Sequence, residues 1–492
     1  MNKQGKATIR KLPTGVPGLD SVLGGGLPEY SFNLIAGDPG AGKTTLCHQI
    51  MFANATAERP ALFFTIVGEP PLKMLRYQQQ FSFFDIAMID RAVHFVNLTE
   101  QATNDLGGTL ETIEREVQRL SPAFVIVDSF RSLMRRISQP GSMDLDTFLH
   151  RLSVRLASWE ATTFLVGEYT SDEAQEHPTF TVADGIVWLS QNVNRNSMVR
   201  KLQVMKQRGQ EVLPGLHTFR ITDHGLRVFP RTIKPFERAG THPPQLISSG
   251  IDGIDELLGG GILQGSAVLV AGPSGSGKST VGLQFLADGV KHQEHGVLAM
   301  FEESTEKYIE QAKSIGIDLG EMAKAGAIKL IYLRPLDLSI DETLHEIQDG
   351  VAQVGAQRVV IDSLTGLEIA LAPTFEQDFR ESLYRLVGAL TGSGVTVMMT
   401  VEVADSYTEL RFSPHAVSFM TNDIILQRYI ELEGCLRTVV TIVKTRSRKH
   451  SNQIREYQIT NRGIVVGRDL SEYIGIITGT PRLRDRRAEQ RE

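Results

Sequence analysis

One long pattern occurs twice in this chain. "GVPGLDSVLGGGLPEYSFNLIAGDPGAGKTT" at 15–45 returns as "GIDGIDELLGGGILQGSAVLVAGPSGSGKST" at 250–280. Two shorter segments return in the same order, "FVIVDSFRSL" (124–133) as "VVIDSLTGL" (359–367) and "VMKQRG" (204–209) as "IVKTRS" (442–447). Lys43 and Lys278 lie 235 residues apart, Asp128 and Asp362 234, Arg208 and Arg446 238. Three motifs at a nearly constant offset define a tandem duplication, so each copy must complete its own core within a normal single-domain length. The 492 residues divide into 1–240 and 241–480, joined through the proline-bearing "FPRTIKPFERAGTHPPQ" (229–245), and a charged tail, 481–492.

Within a copy, short β-branched and apolar runs alternate with helical segments. In the second they are "SAVLVAG", "GVLAMFE", "IKLIYL", "RVVIDS", "GVTVMMTVE" and "DIILQRYIEL", with amphipathic stretches such as "ESLYRLVGALTGSG" between some of them. Near-continuous apolar strands alternating with helices specify an α/β fold, a mostly parallel twisted sheet with helices on both faces. The closely spaced late runs "DIILQRYI", "RTVVTIVKTRS" and "REYQIT" read as antiparallel strands at one edge.

Composition narrows the class. The chain is 41% hydrophobic and 22% charged, with a formal net charge of −6, which argues against a nucleic-acid coat. There is no apolar run of roughly 18 residues to span a membrane, and "MNKQGKATIRK" lacks an apolar signal core. Cys47 and Cys435 fall one in each half and outside any CxxC pattern, so neither a disulfide framework nor a zinc site is expected and a reducing cytoplasm is the simplest setting.

"GDPGAGKT" (37–44) and "GPSGSGKS" (272–279) both satisfy G-x-x-x-x-G-K-[ST], each after an apolar strand and at the start of a helix. The loop residues Gly37, Gly40, Gly42 and Thr45, and Gly272, Ser274, Gly275, Gly277 and Thr280, let backbone N–H groups surround phosphate oxygens at a helix N-terminus. Lys43 and Lys278 would reach the β- and γ-phosphates, and Thr44 and Ser279 would each give a hydroxyl to Mg²⁺. Asp128 and Asp362 end apolar runs, where a carboxylate can hold a Mg²⁺-bound water; taken alone, such an aspartate also suits capping the next helix. No N-K-x-D guanine-reading motif is present, so ATP is expected rather than GTP.

The lead "TGVPGLDSVLGGGLP" before the first phosphate loop, "FEES" after the second, and "IDSL" with a later K-x-R resemble the KaiC family of circadian clock ATPases in the RecA superfamily. The likeness covers nearly all of both halves and implies two tandem RecA-like domains. In that family paired glutamates lie beside the γ-phosphate and activate the attacking water or hydroxyl. By resemblance Glu302 is the base or water-orienter, and Glu303 supports it or binds at the neighbouring subunit. Neighbours along a strand point to opposite faces, so one acid is expected to face the nucleotide. The first half departs from the pattern: "GEPP" puts Gly68 at the place of Glu302 and Glu69 at that of Glu303, or Val67 and Gly68 if the alignment is one residue shorter. An N-terminal site that binds ATP well, hydrolyses it slowly and serves ring assembly is therefore expected.

In "KLQVMKQRG" a period of two puts Lys206 and Arg208 on one face with Leu202 and Val204; in "VVTIVKTRS" it puts Lys444 and Arg446 with Val440 and Ile442. An ordinary charged strand end has this look too. The resemblance implies that such cations reach the γ-phosphate held by an adjacent subunit, which demands a closed ring, a homohexamer of two stacked tiers. It also implies autophosphorylation before "IIL" at 424–426, where Ser418 matches one acceptor, Phe419 replaces the next, and Ser413 lies at a further acceptor position. A serine in a polar turn reads the same way. The arginine-rich "PRLRDRRAEQRE" is expected to be solvated and disordered, and the resemblance makes it a docking place for a regulatory protein. The competing function is a RecA- or RadA-type single-stranded-DNA motor, for which "KTRSRKH" (444–450) is the one supporting feature.

Overall fold

The computed structural model describes residues 9–65, 71–98, 106–131, 145–170, 172–173, 177–194, 197–231, 245–333, 339–370, 379–403, 420–446, 448–476 and 480–483. The chain forms two compact units, Met1–Thr232 and Ile233–Glu492.

The first unit is built on nine strands: β1 (Phe32–Gly37), β2 (Ala61–Thr65), β3 (Val93–Asn97), β4 (Phe124–Asp128), β5 (Thr162–Glu168), β6 (Gly185–Asn194), β7 (Ser197–Gln207), β8 (His217–Thr222) and β9 (Gly225–Phe229). They lie side by side as β9-β8-β7-β6-β1-β5-β4-β2-β3. The second unit repeats this strand for strand with β10 (Ala267–Gly272), β11 (Gly296–Met300), β12 (Ile328–Tyr332), β13 (Arg358–Asp362), β14 (Thr396–Glu402), β15 (Asp423–Leu432), β16 (Cys435–Thr445), β17 (Arg455–Thr460) and β18 (Gly463–Asp469), in the order β12-β11-β13-β14-β10-β15-β16-β17-β18. Each sheet is thus mostly parallel with antiparallel strands along one edge, the RecA-like α/β arrangement. One detail differs from the sequence reading. The run "DIILQRYI" pairs parallel to the phosphate-loop strand β10, and antiparallel pairing begins only with β16.

Alternation along the strands explains the layering. Ile35, Phe63, Ile126 and Val166 bury into the core on one face, and Leu34, Phe64, Val127 and Leu165 into that on the other. Both faces are covered by helices, so the strands read as unbroken apolar runs. The helix Leu106–Leu120 turns Leu106, Leu110, Ile113 and Val117 inward, at the spacing of a helical stripe. Ser339 caps the helix Ile340–Val354 by accepting from the Glu342 N–H at 3.1 Å, and Gly355 ends it in the left-handed region. Such a cap contributes about 1 kcal/mol.

The lead-in before each phosphate loop is also duplicated in three dimensions. Asp20 accepts from the Thr14 N–H (2.9 Å) and hydroxyl (2.7 Å), and Asp255 from the Ser249 N–H (2.8 Å) and Ser248 hydroxyl (2.7 Å). These bonds fix the turn that feeds the sheet, which is why the acid recurs. Near the end of the chain Arg482–Leu483 pair antiparallel with Tyr473–Ile474, and residues 484–492 lie outside the described residues.

Candidate functional site

Each phosphate loop leaves the end of the central strand, β1 or β10, and opens directly into a helix, Lys43–Asn54 or Lys278–Lys291. The residue before each helix is a glycine in the left-handed region, Gly42 at φ 97° and Gly277 at φ 91°. Neither has room for a side chain. A Cβ on Gly42 would lie 2.6 Å from Ile221 Cδ1, and one on Gly277 2.8 Å from Ile459 Cδ1.

The loop lysines fold back across their own loops. Lys43 Nζ donates to the Gly37 and Asp38 carbonyls at 3.0 and 2.6 Å, and Lys278 Nζ to the Pro273 carbonyl at 2.8 Å. Burial lowers both pKa values, and nearby carboxylates only partly oppose it: Glu168, Asp128 and Asp38 around Lys43, and Glu402, Asp362 and Glu302 around Lys278. A bound polyphosphate would supply the missing counter-charge.

In the first unit a cavity of about 300 Å³ is bordered by Gly40, Gly42, Lys43, Thr44, Thr45, Asp128, Glu168 and Ile221 among others. Thr44 Oγ1 donates to Asp128 Oδ2 at 2.6 Å. In the second, a cavity of about 350 Å³ is bordered by Ser274, Gly275, Gly277, Lys278, Ser279, Thr280, Glu302, Glu303, Tyr308, Asp362, Ser363 and Glu402. Gly272 ends β10, and a Cβ there would lie 2.7 Å from the Ser276 hydroxyl.

Glu302 and Glu303 both border the second cavity, against the expectation that only one acid would face it. The reason is local. β11 stops at Met300, so the two-residue alternation of a strand does not extend to 302 and 303. The Ser363 hydroxyl donates to Glu302 Oε1 and itself accepts from the Gly366 N–H at 3.0 Å. Asp362 accepts from the Tyr308 phenol at 2.7 Å and from the Thr400 hydroxyl. Burial and the adjacent Asp362 push the Tyr308 pKa far up, so the phenol stays a donor. Val67, Gly68 and Glu69 of the first unit lie outside the described residues, as do Ser413, Ser418 and Phe419.

Among the described residues no group of three or more His, Cys, Asp or Glu side chains is placed to hold a metal ion. What each site offers is one hydroxyl and one strand-end carboxylate, Thr44 with Asp128 and Ser279 with Asp362. That donor set suits Mg²⁺, which keeps several waters and takes its other oxygens from phosphates.

The K-x-R segments take no part in their own chain's cavity linings as described. The expected two-residue alternation fails just before them. Ile186 pairs with Lys206 but Val187 with Val204, and Ile424 pairs with Lys444 but Ile425 with Ile442. A bulge at Met205 and at Val443 breaks the shared face, and bulges re-aim the residues that follow. Lys206 Nζ donates to the Phe180 and Thr181 carbonyls at 3.2 and 3.0 Å, and Lys444 Nζ to that of Thr421 at 3.0 Å. Arg208 pairs with Asp184 at 3.1 Å; Arg446 is exposed.

Sequence reasoning missed Glu168, Glu402, Tyr308, Ser363 and Thr400. The two glutamates could have been found, because "TFLVGE" and "VMMTVE" end at the repeat offset.

Comparison with known proteins agrees with this geometry. A family model described as "ATPase: KaiC" matches residues 12–233 and again 247–471. The circadian clock oscillator protein KaiC of Parathermosynechococcus lividus is 27% identical over 485 residues, covering 96% of this chain and 88% of its own. The protein of the same name from Prochlorococcus marinus strain MIT 9313 is 27% identical over 484 residues, covering 96% of each chain. Circadian clock protein KaiC3 of Synechocystis is 27% identical over 491 residues, covering 96% of this chain and 95% of its own. With the family pattern matched once in each unit, on the two sheets that carry the phosphate loops, the chain belongs to the KaiC family of ATPases.

Proposed function

We propose that this protein binds Mg·ATP at both sites and hydrolyses it chiefly at the C-terminal one, working as a homohexamer of two stacked tiers. The observation that carries this reading is Glu302, fixed by the Ser363 hydroxyl at the edge of the cavity that Lys278 and Ser279 also border. A carboxylate so held is a general base for a water approaching the γ-phosphorus. As the water oxygen bonds to phosphorus, the bond to the bridging oxygen of ADP breaks, and Glu302 takes the water's proton. Lys278 balances charge on the phosphate oxygens, and Mg²⁺, when bound, withdraws further charge from them. Lys444 and Arg446 of a neighbouring copy complete the site, as Lys206 and Arg208 do for the N-terminal one. In support, all four lie outside the cavity linings described for their own chain.

The N-terminal site assembles the ring more than it turns over, because the first glutamate of the pair is replaced there. Ser418 or Ser413 accepts phosphate in a side reaction at the C-terminal site. With Phe419 in the second place, the acceptor pattern favours a single site over an ordered pair. A regulatory protein engages the arginine-rich tail, and the reading places the ring in the cytoplasm. Among the described residues no helix is long and apolar enough to cross a membrane.

The test pairs phosphate release with phosphopeptide mapping and light scattering on the full chain. Expected are hydrolysis, a phosphorylated 411–426 peptide, and an ATP-dependent particle of six copies. A monomer with and without Mg·ATP refutes the shared site, and an unmodified 411–426 peptide refutes the kinase branch.

A further inference from the structure

The two units repeat their strands but not the surroundings of the aspartate that ends the fourth. In the first, Thr44 Oγ1 reaches Asp128 directly at 2.6 Å. In the second, the corresponding aspartate is gripped from elsewhere. Asp362 Oδ2 accepts from the Tyr308 phenol at 2.7 Å, and Oδ1 from the Thr400 hydroxyl. Ser279, Tyr308 and Asp362 all border the same cavity, so the phenol lies at the site whose hydroxyl and carboxylate suit Mg²⁺.

The matching positions in the first unit carry no hydroxyl. Tyr308 is the fourth residue of the helix Thr305–Ser314, and the fourth residue of Pro71–Gln78 is Met74. Thr400 pairs with Val270 of the central strand, and Val166 pairs with Ile35 at the same place. Met74 and Val166 are buried apolar side chains, whereas Tyr308 and Thr400 are equally buried but polar. Burying two hydroxyls is favourable only where each finds a partner, and here both find the same carboxylate. With an oxygen held on either side, Asp362 cannot rotate without losing a donor. Tyr308 also sits on the helix that begins immediately after Ser304, so one short segment carries Glu302, Glu303 and the phenol.

We propose that Tyr308, assisted by Thr400, is a positioning residue of the C-terminal site: it aims Asp362 at Mg·nucleotide and ties it to the segment of Glu302 and Glu303, through two hydroxyls that Met74 and Val166 do not supply at the matching places of the N-terminal site. This rests on the reading of the C-terminal site as a Mg·ATP site.

The test titrates Mg²⁺ into the full-length protein with a fluorescent, non-hydrolysable ATP analogue, Lys278→Ala giving the signal of the N-terminal site alone. Tyr308→Phe keeps the ring in the core and removes the donor, and the Mg²⁺ concentration at half-signal for the C-terminal site rises about tenfold, the usual effect of losing an outer partner of a metal ligand. Thr400→Val shifts it in the same direction, and Thr400→Ser, which keeps a hydroxyl, stays within about twofold of the parent. An unchanged or lowered half-point in Tyr308→Phe overturns the proposal. If Tyr308→Phe does not fold, Thr400→Val decides by the same criterion. A parent signal that is indifferent to Mg²⁺, or undiminished in Lys278→Ala, overturns the reading of the site itself and the clamp with it.

Discussion

Thr44 Oγ1 donates to Asp128 Oδ2 at 2.6 Å, linking the first phosphate loop to the end of a strand 84 residues away. Both groups border the first unit's cavity. Thr44→Val removes the hydroxyl and keeps the shape. If ATP at this site drives assembly of the proposed ring, the ATP concentration needed for half-assembly, followed by light scattering, rises about tenfold. Assembly at an unchanged ATP concentration removes the N-terminal site from the assembly step.

Gly277 is held at φ 91°, and any Cβ there meets Ile459. Gly277→Ala therefore lowers unfolding free energy by about 1–3 kcal/mol in a denaturant titration, from the left-handed backbone and the contact together. Adding Ile459→Ala relieves the contact only, so the double variant recovers part of the loss. Full recovery assigns the whole cost to packing, and no loss in the single variant contradicts the account of the loop.

His48, on the first phosphate-loop helix, is fully buried, with its ring centroid 4.6 Å from that of Phe63. Burial, opposed by the Gln78 side chain, lowers its pKa to about 4. The unfolded chain, with an ordinary histidine, binds a proton that the folded chain refuses between roughly pH 6.5 and 4. Stability in the first unit is thus complete above about pH 6.5 and falls as the pH drops through that window, by up to about 3 kcal/mol. His48→Phe flattens this slope in denaturation curves taken at successive pH values; an unaltered slope assigns it to other groups.

Lys206 and Lys444 are tied to carbonyls of their own chain, which fixes where the adjacent arginines emerge. If Arg446 acts on a neighbour's nucleotide, Lys278→Ala and Arg446→Ala each lower phosphate release at least about tenfold alone. Mixed before ring assembly, the two variants regain activity, because some interfaces then combine an intact loop with an intact arginine. Mixtures no better than the average of their parts contradict action between subunits.

The legible and illegible parts of this molecule divide by range. The phosphate loops could be read residue by residue because every group from Gly37 to Thr44 and from Gly272 to Ser279 acts within one turn of chain. Asp128 and Asp362 were readable because a strand of near-continuous apolar residues announces its own end. The grip on Asp362 was not, since Tyr308 and Thr400 reach it from 54 and 38 residues away and nothing in the local pattern marks either. The face of Lys206 and Lys444 was misread because a bulge changes register without changing composition. The sides of Glu302 and Glu303 were misread because alternation was carried past the strand's last residue, Met300.

The division of labour between the two sites is tested most directly by phosphate release from Glu302→Gln at saturating Mg·ATP. The substitution keeps size and hydrogen bonding to Ser363 while removing the base. The account predicts a fall of about a hundredfold, the range of a lost general base, in a particle that still assembles with ATP. Turnover that largely survives contradicts it and moves the chemistry away from Glu302.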